Sequence, residues 1–327
     1  MEKKTYYLAM VVLVASLVTL SPLPSVVAQS NYPNRPIEVI IPYPPGGAID
    51  LAMRFYADKW PEFLGQPVIP VNKPGGGATI GGKVVSAAKP DGYTLLGAGD
   101  STLITARLGR KDIGYDLNSF RIIYAFSKVT LYFTVKVDSK WKTLNDFLAD
   151  ARQNPGKLKY ASYGIGAIPH FATEILSKAA GVKMTYVPYK SSPESLTALI
   201  GGHVDMAATA GLSGMSGSPY LRLLAIAEEE RISNHPEVPT LKELGYPVVL
   251  NVTNVLSAPR GVTEEVVNKL VDAQRKVYAK YEKEIKEQIP KLDQYPIFIE
   301  GGSALKLLRE REKKYREMAP QMGIRLE

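Results

Sequence analysis

The sequence predicts an α/β protein built on mainly parallel sheets, and three observations lead to that prediction. Apolar runs of strand length alternate with segments of helical periodicity along the chain. Glycine and proline cluster where these segments meet, as tight turns require. Cysteine is absent and 45% of the residues are hydrophobic, so the core rather than disulfide bonds must stabilise the fold. A mature chain of about 300 residues is long enough for two domains.

The first structured unit is a strand, a glycine turn and a helix in direct succession. Residues 37–41, IEVII, are typical of a parallel strand buried on both faces. Prolines and the pair Gly46-Gly47 end that strand, and Ala48 opens a helix with apolar residues four apart. The free N–H groups at such a helix start bind anions. Every α/β unit also needs a turn here, so this stretch alone leaves an anion site and a purely structural turn both open.

The rest of the chain continues the alternation of strands and helices. The second half repeats the pattern of the first half without repeating its sequence, and residues 131–137 and 252–258 are the candidates for strands that cross between two domains. Strands are predicted at 68–71, 93–98, 131–137, 159–162, 184–187, 204–208, 221–227 and 248–258, and helices at 80–88, 143–153, 171–180, 193–200, from Thr263 onward and at 303–318.

The N-terminus has the pattern of a secretory signal peptide. Lysines precede an apolar run over residues 6–20, and the small-residue pattern Val26-x-Ala28 predicts cleavage after Ala28. A membrane anchor is the rival interpretation, but it needs about 20 apolar residues, and Ser21 and Pro22 end this run early. The mature protein is therefore expected in the periplasm or another extracytoplasmic space.

The chain lacks the residue patterns that nucleic-acid binding, nucleotide hydrolysis, metal binding and nucleophilic catalysis require. The net charge of +8 is spread along the chain, whereas nucleic-acid binding calls for a clustered basic stripe. Gly77 to Lys83 has phosphate-loop spacing, but Val84 stands where a magnesium-binding hydroxyl is needed. His170, His203 and His235 lack metal-ligand spacing, and no nucleophile elbow is present. The sequence predicts a binding protein without metal, cofactor or catalytic group, with an extracytoplasmic enzyme as the weaker alternative.

Six ordered motifs resemble one family. They are YPNRPIEVIIPYPPGGAID, GQPVIPVNKPGGGATIG, PDGYTLL, KLKYASYGIGAIPHFATEIL, VPYKSSPESLTALIGGHVD and HPEVPTLKELGYP. Together they resemble the extracytoplasmic solute-binding proteins of tripartite tricarboxylate transporters, the Bug or TctC family, over nearly all of the mature chain. The resemblance implies the two-domain type II periplasmic-binding-protein (Venus flytrap) fold with two crossing strands. Its implied boundaries are 1–28 for the signal peptide, 29–127 with 254–327 for domain 1, and 128–253 for domain 2.

The resemblance also implies a function and a site. It implies a monomer that captures a small carboxylated solute between the domains and delivers it to membrane permease subunits. A sensor that presents its closed form to a membrane receptor would use the same pocket, so uptake and sensing both stay open. The ligand-binding residues that the resemblance implies are Tyr43, Pro45, Gly46, Gly47, Ala48, Asp100, Ser101, Thr102, Ser162, Tyr163, Gly164, Gly166, Ala167, Ile168, His170, Tyr189 and Thr209.

Three departures from the family pattern bear on the ligand. Ala167 to Pro169 replace hydroxyl residues, Tyr163 replaces a small residue, and Asp100 stands where serine is usual. The first two changes predict a less polar pocket, suited to an apolar or aromatic ligand body. Asp100 has two interpretations. It faces the ligand, where it repels a second carboxylate or pairs with an amine, or it points away and caps a turn within the protein.

Overall fold

The computed structural model describes residues 31–108, 113–212 and 215–322. The predicted signal peptide and its cleavage site lie outside these residues. Pro33–Glu327 form one compact unit, and the description below concerns that unit. Within the described ranges, no helix combines the length and the hydrophobicity that crossing a bilayer requires. The two-domain boundaries inferred from the family remain a prediction.

The helices and strands follow the predicted alternation closely. Short 3₁₀ turns at Thr105–Arg107, Leu117–Ser119, Pro290–Leu292 and Ala319–Met322 join some of them. The strands are β1 Ile37–Ile41, β2 Val68–Asn72, β3 Thr94–Gly99, β4 Phe120–Lys136, β5 Lys159–Tyr163, β6 Thr185–Tyr189, β7 Met206–Ala210, β8 Leu221–Ile226, β9 Asn251–Pro259 and β10 Gln294–Glu300. The helices are α1 Ala48–Ala57, α2 Pro61–Leu64, α3 Thr79–Ser86, α4 Asp100–Leu103, α5 Leu144–Gln153, α6 Ile168–Ala180, α7 Ser192–Ile200, α8 Glu264–Gln288 and α9 Gly301–Met318.

The strands form a mixed sheet in the order β2-β1-β3-β9-β4-β7-β5-β6, and β8 and β10 also pair with β4. Parallel pairs stand toward the two ends, where β1 joins β2 and β3, and β5 joins β6 and β7. The middle is antiparallel, because β4 runs against β7, β8, β9 and β10, and β3 runs against β9. The α/β prediction is confirmed, but the predicted mainly parallel arrangement is wrong for the middle of the sheet.

Two of the strands in the antiparallel part of the sheet differ from the sequence prediction. β4 has 17 residues, whereas only residues 131–137 were predicted as strand. β10 was not predicted because Pro296 interrupts it. Among the described residues, β10 pairs with β4 on one side, and its register shifts between Pro296 and Ile299. A proline that cannot donate to a ladder is tolerated in such an irregular edge strand.

The first helical turns of α5 and α8 are capped by threonine side chains. The Thr143 side chain accepts a hydrogen bond from the Asp146 N–H, and the Asp146 carboxylate accepts one from the Thr143 N–H, which completes a capping box. The Thr263 side chain accepts a hydrogen bond from the Val266 N–H at the start of α8. These caps satisfy N–H groups that the helices themselves leave unpaired.

Gly301 and Gly302 provide a test of the packing between α9 and β4. A Cβ at Gly301 would overlap the Ile122 carbonyl oxygen and lie 3.0 Å from that of Ile123, whereas a Cβ at Gly302 would meet nothing within 4 Å. We expect Gly301→Ala to lower the free energy of unfolding by about 1–3 kcal/mol, because the strand backbone must move. Gly302→Ala is the matched control, expected to be neutral or slightly stabilising. Equal denaturation midpoints for the two variants would contradict this packing.

Candidate functional site

A cavity lies where the turn after β1 approaches the ends of β5 and β7. Its walls come from widely separated parts of the chain, with α1 and α7 both beginning at its edge. The space that the centre of a water molecule can occupy within it is about 30 Å³. The lining residues are Tyr43, Gly47, Ala48, Ile49, Val129, Tyr163, Ser191, Ser192, Ala210 and Val252.

The turn after β1 is held in shape by Asp50. Gly46 has φ +84°, which favours glycine, and its N–H donates to the Asp50 carboxylate at 2.9 Å. Arg54 and Asn72 also donate to this carboxylate. Burial opposes the ionisation of Asp50, but the hydrogen bonds from Arg54, Gly46 and Asn72 outweigh it and lower its pKa. The first helical turn of α1 is therefore fixed at the cavity edge by an internal ionic network.

Two helix N-termini border the cavity. Gly47 is the N-cap residue of α1, which has ten residues, and Ser191 is the N-cap residue of α7, which has nine. The Ser191 side chain accepts from the Glu194 N–H, and the Ser192 hydroxyl donates to the Ala210 carbonyl at 3.3 Å. Helix starts carry partial positive charge and favour an anion. None of the residues that line the cavity in the described ranges is charged, so an anionic group there would be stabilised by the helix starts rather than by a charged side chain.

The sequence analysis missed the serines at the start of α7. The signal was present in SSPESL, because Ser191 stands three residues before Glu194 and Pro193 is near the helix start. That pattern is typical of a helix N-terminus. The missing information was spatial, since the sequence did not show that this helix begins beside α1.

Tyr43 and Tyr163 meet across the cavity. Their ring centroids are 5.8 Å apart and their planes are at 88°, an edge-to-face contact. The hydroxyls of Tyr43 and Thr102 are hydrogen-bonded at 3.1 Å. Burial raises the pKa of both tyrosines, so both hydroxyls are neutral at physiological pH. Tyr163, which stands where the family pattern has a small residue, thus contributes an aromatic ring to the wall of the cavity.

Most of the predicted turn after β5 is occupied by contacts within the protein. The Gly166 N–H donates to His170 Nδ1 at 3.1 Å, and the Ile168 N–H donates to the Ser101 hydroxyl at 3.3 Å. The Gly166 and Ile168 N–H groups are therefore not directed at the cavity, whereas the family resemblance implied that these residues bind the ligand. Of the predicted residues, Tyr43, Gly47, Ala48 and Tyr163 line the cavity, whereas Pro45, Gly46, Asp100, Ser101, Thr102, Ser162, Gly164, Gly166, Ala167, Ile168, His170, Tyr189 and Thr209 lie outside its lining.

Two glycines let this turn touch distant backbone. Gly164 has φ +75°, and a Cβ there would lie 3.2 Å from Gly77 Cα. Gly166 has φ +77°, and a Cβ there would lie 2.9 Å from the Thr105 carbonyl oxygen. Both positions need glycine for their backbone conformation and for the close approach. The turn after β5 is thereby seated against the segments around residues 77 and 105.

Three further predicted residues, at the ends of β5, β6 and β7, lie outside the cavity lining. Ser162 donates to the Tyr186 hydroxyl at 3.2 Å, and the Tyr189 carbonyl accepts from the Gly164 N–H at 3.0 Å. Thr209 is fully buried, and its hydroxyl has no hydrogen-bond partner among the described residues. These residues support the strand ends without lining the cavity.

His170 orients the turn after β5 through a hydrogen bond and ring stacking. Its ring stacks on Tyr186 with centroids 4.2 Å apart, and its Nδ1 accepts the Gly166 N–H. Burial lowers the pKa of His170 to about 4. The ring is therefore neutral at physiological pH, which Nδ1 needs in order to accept a hydrogen bond.

The sequence left open whether Asp100 faces ligand or has a structural role within the protein, and in the structure its carboxylate is bonded within the protein. It is fully buried and paired with Arg311 of α9 at 2.6 Å, and it also accepts from the Thr253 N–H and the Tyr315 hydroxyl. Burial raises the pKa of Asp100, and the three donors oppose that rise. Because its oxygens accept from protein donors and its charge is compensated, the structure favours a structural role, as a member of an internal ion pair rather than as the cap of a local turn.

The same arginine extends the network to the start of β9. Arg311 donates to both the carbonyl and the side-chain oxygen of Asn251, at 2.7 and 2.6 Å. Asn251 in turn donates to Glu228, which also accepts from Thr130. Arg311 therefore joins α9 to β4 and β9 behind the cavity, next to the lining residues Val129 and Val252.

Comparisons with known proteins agree with this architecture. The model of the tripartite tricarboxylate transporter family receptor, TctC, matches residues 52–324. A protein of the gbd 5′ region of Cupriavidus necator is 34% identical, with 93% of each chain covered. The BugT protein of Bordetella pertussis is 32% identical, covering 74% of this chain and 76% of its own. The chain belongs to the tripartite tricarboxylate transporter receptor family.

Solved structures share the fold. One described as a periplasmic transporter is 30% identical, with a TM-score of 0.83 over 90% of this chain and 100% of its own. A Rhodopseudomonas palustris protein with adipate is 24% identical, with a TM-score of 0.85 over 90% of this chain and 99% of its own. MatC from the same organism, with bound malate, is 23% identical, with a TM-score of 0.81 over 88% of this chain and 99% of its own. The latter two likenesses establish the fold alone.

The pKa of His170 predicts a pH dependence of stability. The unfolded ring takes up a proton near pH 6.5, whereas the folded ring does so only near pH 4. Stability contributed by this residue is therefore lost as pH falls from about 6.5 to about 4, by up to about 3 kcal/mol. We expect His170→Asn, which keeps an acceptor for the Gly166 N–H, to lack this loss when unfolding is measured by urea titration across that range.

The comparison of variant with wild type isolates the histidine. The pKa values of Glu228 and Asp293 are raised by burial, so these groups favour the folded state as pH falls, in the opposite direction. Their contributions are common to both proteins and cancel in the difference. A difference between wild type and His170→Asn that stays constant from pH 6.5 to pH 4 would exclude a neutral buried His170.

The Asp100–Arg311 pair predicts a large effect of removing one partner. We expect Arg311→Met to lower the free energy of unfolding by about 3–5 kcal/mol, because a buried carboxylate loses its counter-charge. Asp100→Asn combined with Arg311→Met should recover much of that loss in a double-mutant cycle. Arg275→Met, which breaks the exposed pair with Glu300, is the control and should cost less than about 1 kcal/mol. Equal losses from the buried and exposed pairs would refute the coupling.

Proposed function

We propose that this chain is an extracytoplasmic solute-binding protein that holds a small carboxylate in the cavity at the starts of α1 and α7. The observation that carries the proposal is the pair of helix N-termini at a cavity without charged side chains. Such a site binds one anionic group through backbone donors and helix dipoles. The match to the tripartite tricarboxylate transporter family receptor supports a carboxylate as the class of ligand.

The family supports the physiological role that we propose. Under this proposal the chain, as a receptor of that family, captures solute and passes it to membrane permease subunits. Under this proposal the chain is exported with residues 1–28 removed. It works as two lobes, 29–127 with 254–327 and 128–253, joined by β4 and β9. Partial charges at helix starts suit a carrier, because a buried arginine clamp would have a large desolvation cost and would hinder release.

Binding is tested by calorimetry with a panel of carboxylates and the variant Gly47→Val. The sequence alone left the backbone angle of Gly47 open, and the structure gives φ −74°, an angle that any residue adopts. A Cβ there would meet no atom nearer than the Pro44 carbonyl at 3.8 Å, so the fold should tolerate valine. The added methyl groups fill the cavity edge, and we expect at least about a tenfold loss of affinity, or roughly 1.4 kcal/mol.

The matched control is Gly302→Val, the same substitution at an exposed position of α9 with nothing within 4 Å of its Cβ. This variant should keep the affinity of the wild type. Binding that survives Gly47→Val unchanged would place the ligand elsewhere. A wild-type protein that is folded and binds no carboxylate of the panel would overturn the proposed function.

A further inference from the structure

We propose that Asp293 and Gln294 are positioning residues for the ligand site, which fix the start of α1 and the end of β7 relative to each other. This inference rests on the proposed function and adds to it two residues that do not line the cavity themselves. Asp293 follows the 3₁₀ turn Pro290–Leu292, and Gln294 is the first residue of β10. Both residues are almost completely buried, with 3% and 1% of their surface exposed.

Gln294 is bound to two walls of the cavity. Its side-chain N–H donates at 2.6 Å to the carbonyl of Ala48, the first residue of α1. In the antiparallel ladder between β10 and β4, Gln294 stands opposite Val129. Ala48 and Val129 both line the cavity. Gln294 therefore ties the start of α1 to the strand that forms the neighbouring wall.

The Gln294 amide is held in this orientation by two further side chains. Its oxygen accepts from the Ser127 hydroxyl at 2.6 Å and from the Asn254 amide at 3.2 Å. The Asn254 amide also donates to the Ser127 hydroxyl at 2.9 Å. Ser127 and Asn254 are fully buried, so turning the Gln294 amide away would leave buried polar groups without partners, which is costly. The donor to Ala48 is thus fixed before any ligand binds.

Asp293 holds the chain at the point where it leaves β7. Its carboxylate accepts from the Leu212 N–H at 2.9 Å, two residues after Ala210, which lines the cavity. The intervening Gly211 has φ +70°, and a Cβ there would lie 3.4 Å from the Ala48 Cβ and 3.6 Å from the Asp293 Cβ. The end of β7, the start of α1 and Asp293 therefore meet at this glycine.

The backbone of Asp293 gives a second, independent observation. Within the described ranges, Ala78 and Asp293 are the residues other than glycine whose φ is positive, and Asp293 has φ +57°. Aspartate enters this region more readily than most residues, but the conformation still persists only where surrounding contacts impose it. Such residues cluster at ligand sites. The conformation of Asp293 agrees with a role in which its carboxylate and the next side chain must reach two different walls.

The two bonds act on the geometry of the site rather than on the ligand. A site whose walls are in position before the ligand arrives has less to order on binding, and its affinity is higher for that reason. If Asp293 and Gln294 served the fold alone, their loss would lower stability, and the variants that still fold would bind as the wild type does. The two roles therefore differ in the affinity of folded variants.

The experiment combines calorimetry of the mature chain with acetate, succinate, malate, adipate and citrate, and urea unfolding. Asp293→Gly keeps the positive φ but removes the acceptor, and we expect it to bind the best acid of the wild type at least about fivefold more weakly. Gln294→Met removes the donor to Ala48 at similar length and should also lose at least about fivefold. Asp293→Asn keeps an oxygen acceptor and tolerates this φ, so it should bind at least as tightly as the wild type.

Asp116→Gly is the matched control. The Asp116 carboxylate accepts from the Ser119 N–H in a turn that does not line the cavity, so its loss should lower stability and leave affinity unchanged. Removing a carboxylate near a bound anion would by itself strengthen binding or leave it unchanged. Weaker binding by Asp293→Gly therefore has to come from the position of the wall.

The outcomes separate this inference from the proposed function. Wild-type affinity in a folded Asp293→Gly or Gln294→Met variant overturns the inference while carboxylate binding stands. An equal loss in Asp293→Asn and Asp293→Gly also overturns it, because the acceptor would then have no part in binding. A folded wild type that binds none of the acids overturns the proposed function and this inference together. If one of the two weakening variants does not fold, the other decides.

Discussion

The rest of the structure depends on β4, because this one strand pairs with four others. Its 17 residues are nearly all buried, and its first part pairs with β9 and β10 while its second part pairs with β7 and β8. A buried strand must satisfy every N–H and carbonyl through such neighbours. The positions of β7 and β9 relative to each other are thereby fixed by one ladder. Val129 of β4, Ala210 of β7 and Val252 of β9 all reach the cavity, so the same ladder sets the cavity walls.

Under the proposed function the cavity binds an anion through partial charges, while the charged residues behind its wall are paired with each other. Asp50 is tied to Arg54 and Asp100 to Arg311, each within the protein. These pairs hold α1, α9 and the start of β9 in position. The cavity itself is left with helix starts, hydroxyls and aliphatic side chains. The ion pairs behind the cavity wall therefore stabilise the fold. The helix dipoles at the wall are the groups that would contact a bound anion under the proposed function.

The sequence was sufficient where structure depends on near neighbours along the chain. The caps at Thr143 and Thr263 and the glycine turn before α1 were predictable, because each involves residues within about four positions. The order of strands and helices followed from periodicity in the same way. The lining residues Tyr43, Gly47, Ala48 and Tyr163 were also among those that the family resemblance implied.

The failures concern partners that are far apart in sequence. Asp100 and Arg311 are separated by 211 positions, so no local pattern shows that the aspartate has a counter-charge. Ser191 was visible as a helix cap but not as a neighbour of α1. The full length of β4 was hidden because a strand that is buried on both faces lacks the polar alternation that marks a half-exposed strand. In each of these cases the structure depends on contacts between residues that are far apart in sequence.

The glycines of the turn after β5 have a kinetic consequence for the carrier function proposed above. Gly164 and Gly166 meet the segments around residues 77 and 105 backbone against backbone, without side chains of their own. Separating such surfaces exposes little apolar area, and the hydrophobic free energy that opposes separation scales with that area. This contact therefore adds little to the barrier for ligand escape. Under the proposed carrier role, a contact that contributes so little to this barrier favours a short residence time of the solute and quick unloading.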